Sequence, residues 1–370
     1  MRVLTRYVLA EFLKLFVMCL LAFILIYMLV DFIDRSNIMF KNQATASEIA
    51  RYIGYKVPLI AFQMIPVSVL LATLISLSIL SRNSEITAMK AGGVSILRVT
   101  SPVLLFALMI SGVSFAVNEF VVPYTNAMSE QVWREEIKGK EPRAQFRKKR
   151  IWYRSSRAEG WPESIYYIAN LYPDKGRIEN VSLFRFDEQF RLIRRGHAQF
   201  AQYDPSAEAG RAWTFYDGVY RRFVGDEVEM QTTFTRYRFV LAETIDDLKI
   251  ERKKPEEMGF AELRDHVRKV RESGDDATRY EVDLQGKLSF PLVSFVMALL
   301  GIPFALKTGR SGGVALGIGV ALTIGVVYWI VLALSLSLGH SGVLPPTAAA
   351  WSSHIAFGMI GVLMMVNMQQ

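Results

Sequence analysis

Apolar residues in this chain fall in blocks. Residues 57–80 and 99–118 contain no charged side chain, and each run is long enough to cross a bilayer as a helix, which takes about 20 residues. Between them lies a short polar stretch, residues 81–93, reading SRNSEITAMKAGG. Two flanking spans hold this linker at one membrane face, where it predicts one short helix over about 83–92. Asn83 or Ser84 is the expected N-cap, Glu85 falls in the first turn where a carboxylate suits the helix dipole, and Gly92-Gly93 ends the helix. A stiff polar helix pinned between two spans is built to pass a push from a soluble partner into the membrane.

Four further blocks share the apolar pattern. Residues 15–30 are uncharged and follow Arg2, Arg6 and Lys14. Asp31-Phe32-Ile33-Asp34-Arg35 comes next instead of a small-residue cleavage site, so this is an uncleaved first span with its N-terminus in the cytoplasm. Residues 37–48 read as a polar loop, and Pro58 and Pro66 as kinks in span two. Span four covers 288–306, broken by Pro291 and Pro303. Span five lies within 312–338, and span six runs to the end near residue 370. From 124 to 285 the apolar blocks vanish. Short alternating runs at 150–153, 164–169, 181–186, 199–203, 213–216 and 233–240 predict antiparallel strands, with turn signals at Pro173-Asp174-Lys175-Gly176 and Asp204-Pro205-Ser206. Residues 260–272 switch to helical spacing. The fold class is a six-span α-helical membrane protein with an inserted all-β domain, a sandwich or jelly-roll. Its three parts are 1–123, 124–285 and 286–370.

Composition agrees with that segregation. The 370 residues are 51% hydrophobic yet 21% charged, with net charge +8. Beside membrane spans, excess Lys and Arg hold cytoplasmic loops in place; nucleic acid is not the implied partner. Arg82, Lys90 and Arg98 around the 81–93 linker share a face with the N-terminus and with Lys307 and Arg310. That face outweighs the one bearing Arg35, Lys41, Arg51 and Lys56, so the β domain lies outside. Cys19 is the single cysteine, which excludes an internal disulfide and a cysteine metal site. The four histidines show no ligand spacing, and a cofactor-free protein is expected. No Gly-x-Ser-x-Gly or His-Glu-x-x-His is present. The run from Gly301 to Thr308 has P-loop spacing, but Leu306 stands where the second glycine is needed, so any ATP chemistry belongs to another subunit.

Four sets of residues remain as candidates. Glu85 is either an ordinary first-turn carboxylate or a docking group for a partner. Asp31, Asp34 and Arg35 either mark the membrane boundary or meet the charged head of an amphipathic substrate, with arginine pairing to phosphate. Glu119 has the same ambiguity, with a snorkelling or capping role favoured. Gly313, Gly317, Ala321 and Gly325 recur every four residues along span five, and either pack inside this chain or form a subunit seam or gate.

The ordering of spans and β domain resembles the lipopolysaccharide-export permeases of the LptF/LptG family over the whole chain. The specific residues are Ser84-Glu85-Ile86-Thr87-Ala88-Met89-Lys90-Ala91-Gly92-Gly93, supported by Asn118-Glu119-Phe120-Val121-Val122-Pro123 and Lys287-Leu288-Ser289-Phe290-Pro291-Leu292. Asp31-Phe32-Ile33-Asp34-Arg35 and Leu344-Pro345-Pro346 lean toward the LptG-like member. The resemblance implies a non-catalytic permease in a Gram-negative inner membrane, paired with a second permease of the same type and two cytoplasmic ATPase subunits. Lipopolysaccharide would enter sideways from the outer leaflet, through gates of spans one and five, and pass to a periplasmic bridge protein. Glu85, with Arg82, Ile86 and Met89, would form the coupling helix that docks on the ATPase. Arg35, Asp34 and Lys41 become head-group candidates, although some members carry a basic residue at the position of Asp31. The rival readings are a membrane-anchored receptor or sensor and a membrane enzyme acting on lipid.

Overall fold

A computed structural model of the chain describes residues 2–139, 148–154, 164–172, 175–187, 189–204, 212–225, 227–240, 254–272, 276–308 and 313–367. They form two compact units. One comprises Met1–Trp133, Lys254–Val267 and Ala277–Gln370, and the other Arg134–Lys253 and Arg268–Asp276.

The first unit is helical: α1 Arg2–Lys41, α2 Ala46–Arg82, α3 Glu85–Ala91, α4 Ile96–Phe120, α5 Val122–Gln131, α6 Phe260–Glu272 (which continues into the second unit), α7 Thr278–Ser289, α8 Val293–Thr308, α9 Gly313–His340 and α10 Pro346–Asn367. Six segments are long and apolar enough to cross a membrane: α1, α2, α4, α7 continuing into α8, α9 and α10. Helices satisfy their own backbone polar groups, as hydrocarbon requires. Pro291 lies in the 3₁₀ turn Phe290–Leu292 that joins α7 to α8, while Pro58, Pro66 and Pro303 stay inside their helices.

Two boundaries differ from the sequence reading. The expected loop at 37–48 is mostly helix: α1 continues to Lys41, and α2 starts at Ala46. Thr45 and Glu48 form a reciprocal capping box there, the Thr45 side chain accepting from the Glu48 backbone N–H and Glu48 from that of Thr45. Hydropathy marks where a helix can enter lipid, and capping marks where it ends. After span three, Val121 breaks the helix, and Pro123 lies in the first turn of α5.

α2 is the centre of this unit. Val69, Leu70, Leu74 and Leu77 are fully buried, and α8 contributes Val293, Met297, Ala298 and Ile302 to the same core. Close approach is built on small residues, since apolar side chains gain little by leaving lipid for each other. A Cβ on Gly361 of α10 would lie 2.9 Å from Leu299, and one on Gly301 would lie 3.1 Å from Thr73. α1 buries Val8, Phe12, Leu15, Phe16 and Cys19, whereas Leu21, Leu25, Leu29 and Ile33 are exposed.

The second unit carries one antiparallel sheet of six strands in sequence order: β1 Lys148–Arg154, β2 Ser164–Tyr172, β3 Arg177–Phe186, β4 Leu192–Asp204, β5 Ala212–Val224 and β6 Glu227–Val240. Each of the six alternating runs lies within one of these strands. The described pairings are those of a meander; the Greek-key crossover of a jelly-roll is not among them. Asp187 closes the β3–β4 turn by accepting from the backbone N–H of Arg191 and of Gln189 and from the Arg191 side chain, bonds that hold its carboxyl below the usual range.

The sheet's core changes pleat partway along. Ile168, Val181 and Ala198 are buried, and so are Leu171, Ile178 and Ala201, each three residues away in its strand. Strict alternation would put these two sets on opposite faces. Between them the pairing is interrupted at Asn180 and Asp217, both with left-handed backbone (φ 48° and 49°). Those residues reverse the alternation and let both sets join one cluster with Trp213 and Phe215. Gly218, next to Asp217, lies against the neighbouring strands: an added Cβ would meet the Phe234 ring at 2.3 Å and the His197 carbonyl at 2.4 Å. Gly218→Ala is expected to destabilise this sheet by about 1–3 kcal/mol through overpacking, read as a lower thermal midpoint for protease cleavage of the full chain. Gly196→Ala, whose Cβ would have only an ordinary contact 3.8 Å from Leu183, leaves that midpoint in place.

Candidate functional site

α3 is fixed at both ends by backbone geometry. Asn83 ends α2 with its N–H donated to the Ile79 carbonyl, and Ser84 takes a left-handed conformation, φ 60°. The expected side-chain N-cap is therefore absent at Ser84, because its hydroxyl is not presented to the first turn. The Asn83 amide instead donates to the Glu85 carboxylate at 3.2 Å. At the other end, Gly93 (φ 79°) donates to the Lys90 carbonyl and Val94 to the Met89 carbonyl, the Schellman pattern that a left-handed glycine permits. The connections on both sides are therefore too short for α3 to move independently of α2 and α4.

The faces of α3 are divided. Ile86 is buried in this chain's own core, and Met89 and Val94 pack against that core. The apolar pair Ile86 and Met89, expected within the docking helix, thus roots that helix inward. Arg82, Thr87, Ala88 and Lys90 are exposed, and Glu85 is half-buried, with the Tyr7 hydroxyl of α1 hydrogen-bonded to its carboxylate.

A second cluster joins α1 and α2 at the far end of the apolar run 15–30. Asp31 accepts from Lys56 Nζ at 2.5 Å, Tyr52 Oη at 2.8 Å and Arg35 Nε at 3.2 Å. The Arg35 guanidinium lies 4.4 Å from the Trp133 ring centroid and 5.4 Å from that of Tyr52. One carboxylate thus binds two cations, the Glu130 carboxylate also acts on Lys56, and the aromatic rings hold Arg35 without neutralising it. Asp34 and Lys41 are exposed on the same helix and take no part. Sequence reasoning found Asp31 and Arg35 but treated Lys56 as a loop charge and did not single out Tyr52 or Trp133. The available signal was the i, i+4 pair Tyr52 and Lys56 in a helix with Thr45–Glu48 capping, which places both on one face.

Along the span-five stripe, Gly317 lies against Ser78 of α2 and Ala321 is buried in the core, whereas a Cβ on Gly325 would meet nothing within 4 Å. Gly313 starts the helix. Glu119, at the end of α4, accepts hydrogen bonds from the backbone N–H groups of Phe260 and Ala261 and so caps α6. His340 and Asp283 pair at 2.8 Å between α9 and α7. Among the described residues no group of acidic, histidine or cysteine side chains has metal-binding geometry.

Removing the shared carboxylate tests whether the α1–α2 cluster holds these helices together. Asp31→Asn leaves Lys56, only 12% exposed, beside Arg35 without its hydrogen-bonded carboxylate, and is expected to cost about 1–3 kcal/mol. Thermal unfolding in detergent measures that loss. Adding Lys56→Met is expected to restore much of it, while Asp34→Asn on the exposed face changes stability by less than about 0.5 kcal/mol.

The whole arrangement corresponds to a known family. Residues 6–367 match the family model described as lipopolysaccharide export system permease LptF/LptG. The chain is 21% identical to the lipopolysaccharide export system permease protein LptG of Escherichia coli (strain K12) over 368 residues, 99% of this chain and 98% of that protein. It is also 21% identical to the LptG protein of Haemophilus influenzae over 303 residues, 82% and 81% of the two chains. With a match that runs through every span and the inserted sheet, the chain belongs to the LptF/LptG family of lipopolysaccharide export system permeases.

Proposed function

We propose that this chain is the LptG-like permease subunit of an ATP-driven lipopolysaccharide exporter. It takes lipopolysaccharide from the outer leaflet of the inner membrane and passes it to a periplasmic bridge protein. A second LptF/LptG-type permease completes the cavity, since a lipid with several acyl chains needs more apolar wall than six helices enclose. Two cytoplasmic ATPase subunits supply the energy. Extraction from a bilayer costs about 0.8 kcal/mol for each CH₂ exposed, so a bound energy source is required.

The observation that carries this reading is α3, a polar-faced helix clamped between two membrane spans in a chain that matches a transport permease from end to end. With N- and C-termini and α3 in the cytoplasm, force applied to the exposed side of α3 reaches α2, a largely buried span, through Ile86 and the two short connections. Arg82 and Glu85 are the side chains at which the ATPase engages, while Ile86 and Met89 brace α3 against the core. The same orientation puts the sheet in the periplasm and the Asp31–Lys56–Arg35 cluster at the outer boundary. There Arg35, with Lys41 nearby, meets the phosphorylated head group while Asp34 faces water.

Glu85→Ala tests the coupling step. Loss of one charge-assisted hydrogen bond, worth about 1.5–3 kcal/mol, is expected to lower lipopolysaccharide-dependent ATP hydrolysis by about tenfold or more, with membrane insertion unchanged. Tyr7→Phe removes one internal partner of Glu85, leaves the Asn83 amide in place, and leaves hydrolysis close to normal. Equal export by Glu85→Ala and the parent removes Glu85 from the coupling path.

A further inference from the structure

Glu119 ties together two distant parts of the chain. It is the last residue but one of α4, and its carboxylate accepts from the backbone N–H groups of Phe260 and Ala261, the first two residues of α6. The Gly259 carbonyl accepts the first bond inside α6, from the Leu263 N–H at 2.9 Å, so Gly259 is the N-cap residue. Glycine has no side chain to satisfy the free N–H groups of the first turn. Span three supplies the oxygens instead, with a carboxylate at the positive end of the helix dipole. Gly259 also lies directly on Glu119: an added Cβ would be 3.1 Å from its Oε1 and 3.3 Å from its carbonyl oxygen.

A serine or aspartate at position 259 would cap α6 without involving α4. What the Glu119 cap adds is a mechanical connection. α4 has 25 residues and runs about 37 Å as a helix. Its first residue, Ile96, follows the short connection from α3, and Glu119 stands at the opposite end. α6 in turn starts in the helical unit, and its residues Arg268–Glu272 belong to the second unit. Around its start, Glu257 and Met258 are buried, and Lys254 lies 3.9 Å from Glu130 of α5. One turn and a half along, the His266 ring meets the Tyr280 ring of α7 edge-on at 4.7 Å. α6 is therefore seated on the helical unit before it enters the other, and a regular helix carries a displacement of its start to its end.

We propose that Glu119 is a positioning residue that couples movement of span three to α6, and through α6 to the unit that carries the sheet. The proposal rests on the reading of this chain as a lipopolysaccharide permease and names a connection by which the ATP-driven stroke reaches its inserted domain. Displacement of α3 moves the start of span three, and Glu119 turns movement at the other end of that span into a reorientation of α6. Without this tie, ATP is still hydrolysed, but fewer cycles deliver lipid to the bridge protein.

The test uses the full chain assembled with its partner subunits and the bridge protein in proteoliposomes, with purified lipopolysaccharide as the probe. Three quantities are read: ATP hydrolysed, lipopolysaccharide crosslinked to the bridge protein per ATP, and the rate of trypsin cleavage in α6 after Arg264. Glu119→Ala is expected to leave hydrolysis close to that of the parent and to lower delivery per ATP by about fivefold or more, the lower end of coupling between sites. Cleavage in α6 is expected to speed up by about fivefold, the scale of one lost cap. Adding Gly259→Asp to Glu119→Ala gives α6 a cap of its own, where a Cβ would otherwise meet the Glu119 carboxylate, and makes no link to span three. That double variant is expected to regain the parent's resistance to trypsin while delivery stays low. Glu119→Gln keeps an acceptor oxygen on span three and is expected to retain part of the delivery. Delivery that follows the protection of α6 across the three variants makes Glu119 a cap only and overturns the tie. So does unchanged delivery in Glu119→Ala, or a fall in hydrolysis as large as the fall in lipid delivered; each leaves the permease reading standing. A complex of the unsubstituted chain that neither exports lipopolysaccharide nor responds to it overturns the permease reading itself.

Discussion

The side chain of Ile86 lies in the same apolar core as Leu77 and Leu80 of α2 and Val99 and Val103 of α4. α3 has seven residues, far fewer than an isolated helix needs to be stable in water. Its shape is therefore imposed from outside, by Ile86 below and by the left-handed residues Ser84 and Gly93 at its two ends. Without that anchoring the 81–93 linker would be a soft loop, and a force on it would be absorbed locally. With it, displacement of the exposed side of α3 must move α2. Because α2 fills the centre of the helical unit, a small shift there is felt by α1, α8 and α9.

Charge is treated differently in the two units. In the helical unit, Asp31 gathers Lys56, Tyr52 and Arg35 into one half-buried cluster, and Glu119 is spent on the N-terminus of α6. Polar groups near hydrocarbon must find partners inside the protein, because water is not at hand to take their place. In the sheet, charges pair at the surface, as where the exposed Arg191 donates to Asp187 at 2.8 Å.

The six spans were legible because each apolar run is uninterrupted and long enough to cross a bilayer. The strands were legible because half-buried strands alternate. Helix ends were less so: residues 37–41 look like loop by hydropathy but are helix, since Thr45 and Glu48 set the true break. Ile86 and Met89 were correctly placed on one helical face, but spacing alone does not say whether that face looks toward a partner or toward the chain's own core. The cluster around Asp31 needed the fold, because Asp31, Lys56 and Trp133 are distant in sequence and meet only when α1, α2 and the turn Val132–Ile137 after α5 pack. The pleat reversal at Asn180 and Asp217 was invisible for the same reason. It depends on backbone geometry that neither residue type dictates.

The central claim is that α3 faces the compartment where ATP is hydrolysed, while the sheet faces the other. Sidedness of chemical labelling tests it directly. In a chain with Cys19 replaced by serine, a membrane-impermeant maleimide is applied to intact spheroplasts carrying either Ser84→Cys in the linker or Gln189→Cys in the exposed β3–β4 turn. The account predicts reaction at position 189 in intact spheroplasts, and at position 84 only after the membrane is opened. Labelling of position 84 from outside would contradict it.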